Sequence, residues 1–273
     1  MVLGAAQDGG HPQAGCARAC CTALPHGVRH LPACLGIVDP ATHRRWLIDA
    51  TPALPEQLRK LDGASPGGLD GIFLTHAHMG HYTGLMYLGR EVMGTRDVPL
   101  HVQPRMATFL RENGPWKQLV DLGNVRLSVG SRWQLSPELS VQAIPVPHRD
   151  EFSETVAFVI RGPTRAVLWL PDIDRWDGWD AGLEATLASV DAAWIDGTFW
   201  ADGELKRDMA EVPHPRIRET VARLSVLAAT ERAKVRFVHL NHTNPAWDPA
   251  STQALSIVAA GIAVATEGER FDL

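Results

Sequence analysis

Cysteine is scarce in this sequence and confined to one end. Cys16, Cys20, Cys21 and Cys34 are the only four, and three of them fall within six residues. That pattern excludes a disulfide-stapled scaffold, and in a reducing compartment such clustering favours a metal over disulfides. Positive charge is in deficit: 26 Lys and Arg against 31 Asp and Glu give a formal net charge of -5. A general affinity for nucleic acid usually needs a basic face, so that class of partner is disfavoured, while a small anionic substrate held by a local site is not. No run approaches the roughly 18 apolar residues of a membrane span. The start, "MVLGAAQDGGHPQAGC", has neither a basic opening nor a long apolar stretch, so it does not read as a secretory signal and a cytoplasmic location is expected. Low-complexity segments, long linkers and sharp shifts of composition are absent too. The expectation is one domain over 1–273, large enough to bury a core unaided. A homodimer is compatible with this composition.

Short apolar runs separated by turns make up most of the chain. "CLGIVD" (34–39) and "RWLIDA" (45–50) flank the turn-like "PATH" and predict a hairpin. Residues 53–62 read as a helix, and "GIFLTHA" (71–77) as a buried strand. Residues 81–93 carry Leu85, Met86, Val92 and Met93 at helical spacing. In the second half, 139–148, 155–162, 165–172, 190–199 and 234–242 read as strands. Residues 216–230 and 250–261 read as helices, the latter stopped by Gly261, and a short strand "IAVAT" follows. Two sheets packed on each other, with helices outside, would bury these runs.

Polar residues recur where the apolar runs stop. His76 follows "GIFLT", His148 follows "VQAIPVP" and His239 follows "VRFV"; Asp49 follows "RWLI" and Asp172 follows "AVLWLP". Several strands therefore deliver their last residues to one place, where sites are usually built in layered α/β folds. A lone histidine is most often a surface residue. His76, His78 and His81 in "THAHMGHYTGL" (75–85) are not alone. An H-x-H pair on extended backbone sends both rings to one side, which suits a borderline-soft ion such as zinc.

"THAHMGHYTGL" resembles the H-x-H-x-D-H signature of the metallo-β-lactamase superfamily, and further matches continue in order along nearly the whole chain. The resemblance implies a four-layer αββα sandwich with metals at one edge between the sheets. It implies that His76, His78, His148, His81, His239 and the bridging Asp172 are metal ligands, with Asp49 a buried aspartate supporting the metal loop. A narrower resemblance, to the coenzyme PQQ synthesis protein B group, rests on "LGAAQDGGHPQ" (3–13), "IDGTFW" (195–200) and "HLNHTNP" (239–245). A cyclic phosphodiesterase of the carbon–phosphorus lyase pathway and ribonuclease Z are more distant likenesses. The phosphodiesterase implies a structural zinc held by Cys16, Cys20, Cys21 and His242, with one of the adjacent Cys20 and Cys21 a bystander unless the backbone adjusts. Cys34 reads as a core thiol.

Where the family has an aspartate ligand for the second metal, this chain has Gly80. Three histidines with room for water are the set of a catalytic zinc. The remaining His81, His239 and Asp172 are two histidines and one carboxylate, the set of non-haem iron oxygenases. Gly80 thus leaves three readings: one metal, two metals with a looser second site, or iron replacing zinc; a second ion could be zinc, manganese or iron. It also suits a tight turn at a helix start. His214, before Pro215, is a candidate general acid. Asp196 could orient a ligand histidine, and Arg149 could hold an anionic group. The leading expectation is a metal-dependent hydrolase whose metal-bound water attacks a small ester or phosphodiester. The alternatives are a non-haem iron oxidoreductase related to PQQ biosynthesis, and a non-catalytic metal-binding paralogue.

Overall fold

Alternation along the central strands sorts the side chains into layers. A computed structural model describes all residues 1–273. Its first sheet runs in order β1 (Val2–Gly4), β2 (Cys34–Asp39), β3 (Arg44–Ile48), β4 (Gly71–Phe73), β5 (Val98–Val102), β6 (Val125–Val129). The second runs β7 (Arg132–Gln134), β8 (Ser140–Pro145), β9 (Val156–Arg161), β10 (Ala166–Leu170), β11 (Ala192–Asp196), β12 (Val235–Val238), β13 (Ala263–Val264). Trp46, Ile48 and Phe73 face the second sheet, meeting Phe158, Val167, Trp169 and Trp194 in a core between the sheets. Their neighbours Leu47 and Ile72 turn outward and pack with Leu54, Leu61 and Leu110 of the helices Leu54–Ala64 and Pro104–Glu112. On the far side, Leu168, Leu170, Ile195 and Phe237 bury Leu183, Leu187, Ile217 and Leu224 from the helices Leu183–Ala188 and Ile217–Leu224. With a strand period of two, each sheet has two apolar faces, and helix, sheet, sheet, helix is the stacking that covers them. This is the αββα arrangement expected. No helix is long and apolar enough to cross a membrane.

Both sheets begin antiparallel and end parallel. β2 and β3 form the predicted hairpin, then β3 to β6 run parallel. β8, β9 and β10 are antiparallel neighbours, then β10 to β13 run parallel. The strands that precede Asp49, His76, His148, Asp172 and His239 therefore all end at one edge.

The segment 81–93 differs from its helical pattern. One α turn, Met79–Tyr82, passes into a 3-10 stretch, Thr83–Leu88, and stops at Gly89. Ala50 N–H donates to the His81 carbonyl and Gly84 N–H donates to the Ala50 carbonyl, both at 2.8 Å. These bonds pull the chain against the end of β3, and a Cβ at Gly84 would strike the Ala50 and Thr51 backbone. Met86, Val92 and Met93 are left exposed. The predicted helix 216–230 closes at Leu224, and the helix before Gly261 spans Thr252–Ala259.

Candidate metal centre

The loop after β4 is fixed before any histidine is considered. Asp49, fully buried just after β3, accepts from Thr75 N–H at 2.8 Å, from the Thr75 hydroxyl at 2.9 Å and from His81 Nδ1 at 2.8 Å. A hydroxyl that donates can also accept, and Thr75 Oγ1 lies 3.0 Å from His76 Nδ1. Protons thereby sit on the Nδ1 atoms of His76 and His81, and both rings turn their Nε2 atoms inward. The second half repeats the device. Asp196, the last residue of β11, takes the Thr198 hydroxyl at 2.7 Å, and that hydroxyl accepts from His239 Nδ1 at 2.9 Å. Asp196 also takes His214 Nδ1 at 2.8 Å.

Donor atoms of His76, His78, His148 and Asp172 lie within 4.8 Å of one another. His148 Nε2 is 3.1 Å from His78 Nδ1, His76 Nε2 is 3.4 Å from Asp172 Oδ2, and His148 Nε2 is 3.4 Å from Asp172 Oδ1. A tetrahedral zinc with bonds of about 2.0–2.1 Å requires donor separations of about 3.3 Å. A second set adjoins it: Asp172 Oδ2 is 3.5 Å from His81 Nε2 and 3.7 Å from His239 Nε2. His76 Nε2, His81 Nε2 and Asp172 Oδ1 are buried without a hydrogen-bond partner. Buried polar atoms rarely stay unpaired, and these three, gathered at the Asp172 carboxylate, fit bound ions better than a hydrogen-bond network.

The charges agree with that reading. Burial opposes the Asp172 anion, but His148, His239 and His214 around it hold its carboxyl well below the usual range. Burial pushes His76 and His78 down, keeping them neutral. Burial also presses on His81, yet Asp49, Asp172 and Asp8 outweigh it and hold it well above its ordinary value. His214 stands at about 9, with burial overcome by Asp196 and Asp172.

Cys16, Cys20, Cys21 and His242 form a separate set, again with donor atoms within 4.8 Å of one another. Cys16 Sγ and Cys20 Sγ are 4.0 Å apart, close to the roughly 3.8 Å that Zn–S bonds of about 2.3 Å require. The short helix Ala19–Thr22 brings both Cys20 and Cys21 within reach of the cluster. Cys34 is buried elsewhere, against the Asp49 carbonyl. Arg149 is exposed directly after His148, and its charge acts on Glu151, which touches His78.

Five residues escaped the sequence reading. Thr75 and Thr198 look like ordinary strand-end residues. Asp174 accepts from His148 Nδ1 at 2.7 Å, and its signal was the spacing "PDID". Glu151 lies 3.1 Å from His78 Nε2. Asp8, from the N-terminal loop, places Oδ1 3.2 Å from His81 Nε2 and 3.3 Å from His239 Nε2. It also lines a cavity of about 200 Å³ with Arg29, His30, Pro52 and Tyr87.

Residues 44–242 match the family model described as a beta-lactamase superfamily domain. Coenzyme PQQ synthesis protein B from Methylobacterium radiotolerans is 28% identical over 302 residues, spanning 98% of this chain and 97% of that protein. Among solved structures, Zn(2+)-bound PqqB from Methylobacterium extorquens superposes with a TM-score of 0.80 at 22% identity, covering 100% of this chain and 99% of that one. A diphosphatase from the PhnP family gives 0.69 at 21% identity, covering 98% and 94%. These two structures share the fold.

Proposed function

The chain belongs to the beta-lactamase superfamily, and we propose that it is a metal-dependent hydrolase of a small ester or phosphodiester. The observation that supports this most is the gathering of histidines around Asp172, whose carboxylate lies 3.4 Å from His76 and His148 Nε2 and 3.5 and 3.7 Å from His81 and His239 Nε2. His76, His78 and His148 would hold one ion; His81 and His239 would hold a second, with Asp172 serving both. Bound there, ions of the zinc class supply Lewis acidity and lower the pKa of a coordinated water to about 7.

The chain's own residues account for orientation and for the proton. Thr75, Thr198 and Asp174 fix three ligand rings by taking their Nδ1 protons. Asp196 does the same for His214, leaving Nε2 as the nitrogen that exchanges protons. Held protonated at neutral pH between Asp196 and Asp172, His214 can give a proton to a leaving oxygen. The cysteine cluster, outside this set, would hold a structural zinc.

The relatives named for PQQ synthesis favour a second reading, in which iron at His81, His239 and Asp172 serves an oxidation of a small molecule. Metal analysis together with turnover separates the two. The hydrolytic reading expects zinc-loaded protein to cleave bis(p-nitrophenyl) phosphate or a p-nitrophenyl ester, and His148→Ala to abolish that turnover. Iron-loaded protein that consumes oxygen, with zinc-loaded protein inert on all such esters, would overturn it.

A further inference from the structure

We propose that Asp8 is the anionic ligand of the His81/His239 site, delivered through space into the volume that a side chain at position 80 would occupy. A Cβ built on Gly80 runs into the Asp8 carboxylate and lies 2.5 Å from the Asp8 Cβ. One volume cannot hold both side chains, so Gly80 is the residue that admits Asp8. Into that space Asp8 brings one oxygen within 3.3 Å of two ring nitrogens from opposite halves of the molecule, His81 and His239.

Its position is built by the backbone. Ala6 bridges both Pro32 and Leu240. Leu240 N–H donates to the Ala5 carbonyl and Gln7 N–H donates to the Leu240 carbonyl, both at 2.9 Å. The N-terminal loop is thus stitched to the residue after His239, and Asn241 bonds the Gln7 side chain as well. Past Asp8 the chain turns away through Gly9 and Gly10, with Gly10 at a φ of 67° that favours glycine.

With Asp8, the second site is no longer two histidines and a shared carboxylate. Asp8, His81 and His239 bring donor atoms within 4.8 Å of one another, and Asp172 Oδ2 lies 3.5 and 3.7 Å from the two rings, so the site is offered four protein donors. A four-donor set with two carboxylates suits a zinc-class divalent ion and leaves fewer positions open than a three-donor set. The proposal rests on metal occupancy at His81 and His239, and not on the hydrolytic chemistry.

Metal-stripped protein titrated with Zn(2+) against a chromophoric chelator, with metal content per chain measured in parallel, tests it without any substrate. Asp8→Asn keeps the shape of a half-exposed side chain and removes its charge. It is expected to weaken the last-filling ion about 10- to 100-fold while the cysteine-held and His76/His78/His148 ions bind as before. Their retention also reports that the variant folds. The swap Asp8→Gly with Gly80→Asp is expected to restore the lost affinity. Wild-type binding in Asp8→Asn, or no recovery in the swap while Asp8→Gly alone loses the ion, overturns the assignment. A wild-type chain that takes no second ion at the histidines overturns the dinuclear centre and this proposal with it.

Discussion

Asp49→Asn should separate the two histidine ions. Asparagine is isosteric and tolerates the left-handed φ of 68° that Asp49 adopts, so the backbone is not perturbed as it would be by alanine. The asparagine oxygen can still accept from the Thr75 N–H and hydroxyl. The amide NH2 then faces His81 Nδ1, where a carboxylate oxygen now accepts at 2.8 Å. Two donors would confront each other in a buried site, a conflict costing about 1–3 kcal/mol. His81 can escape only by moving its proton to Nε2, the atom that would otherwise take a metal. Losing such a supporting contact typically costs 10- to 100-fold in metal affinity, or about 1.4–2.7 kcal/mol. The loss should fall on the ion at His81. The ion at His76, His78 and His148 should be spared, because Thr75 keeps both its acceptor and His76. Chelator competition with Zn(2+), read beside a circular-dichroism melt, measures both quantities. Equal loss of both ions, or of neither, would refute the tautomer argument.

Three further outcomes are expected. His214→Asn should slow hydrolysis of esters with poor leaving groups by about 10²–10⁴-fold and barely affect p-nitrophenolate release; uniform slowing across leaving groups would remove His214 from proton transfer. Replacing Cys16 or Cys21 by Ser should cost one zinc per chain and lower the melting temperature, whereas Cys34→Ser should leave metal content unchanged, as elemental analysis would show. Metal uptake should depend on pH unequally. A proton and a cation compete for His81, which is held protonated at neutral pH, so filling its site should release about one proton and tighten as pH rises; the neutral His76 and His78 require no such release. Calorimetry in buffers of different ionisation enthalpy would detect the difference, and equal release from both sites would contradict it.

The layered fold was legible because burial on both faces leaves a plain signature. Runs such as "AVLWL" and "AAWI" are apolar throughout and are followed within two residues by an aspartate. Histidines at those stops were readable for the same reason, since a strand end fixes where its next residue lies. The 81–93 segment misled because its apolar spacing is set by packing on β3 and not by a continuing helix. Asp8 was hidden for a different cause. "QDGG" is a sound turn sequence, and nothing local to it shows that the turn lies beside position 80. Contacts between residues so far apart in sequence are a property of topology.

The two halves of the molecule solve one problem twice. In each, a fully buried aspartate at a strand end holds a threonine hydroxyl, and the hydroxyl orients a histidine: Asp49 with Thr75 and His76, Asp196 with Thr198 and His239. In each, the same aspartate also grips a second histidine, His81 or His214. The residues directly after β3 and β12, Asp49 and His239, both adopt left-handed backbone without being glycine, at φ 68° and 66°. Such conformations cost about 1–3 kcal/mol each and persist only where the surroundings over-determine them. Here they do. Asp49 N–H is held by the Phe73 carbonyl at 2.8 Å, and the residues after His239 are held by Ala5 and Thr198 at 2.9 Å. The fold thus spends stability to aim its donors in advance, so little reorganisation remains when an ion arrives. The symmetry breaks at the second histidine of each pair. His81 has a carboxylate, Asp8, across from its Nε2. The carboxylates beside His214, Asp196 and Asp172, both face its Nδ1. That single difference can make one a ligand and the other a proton donor.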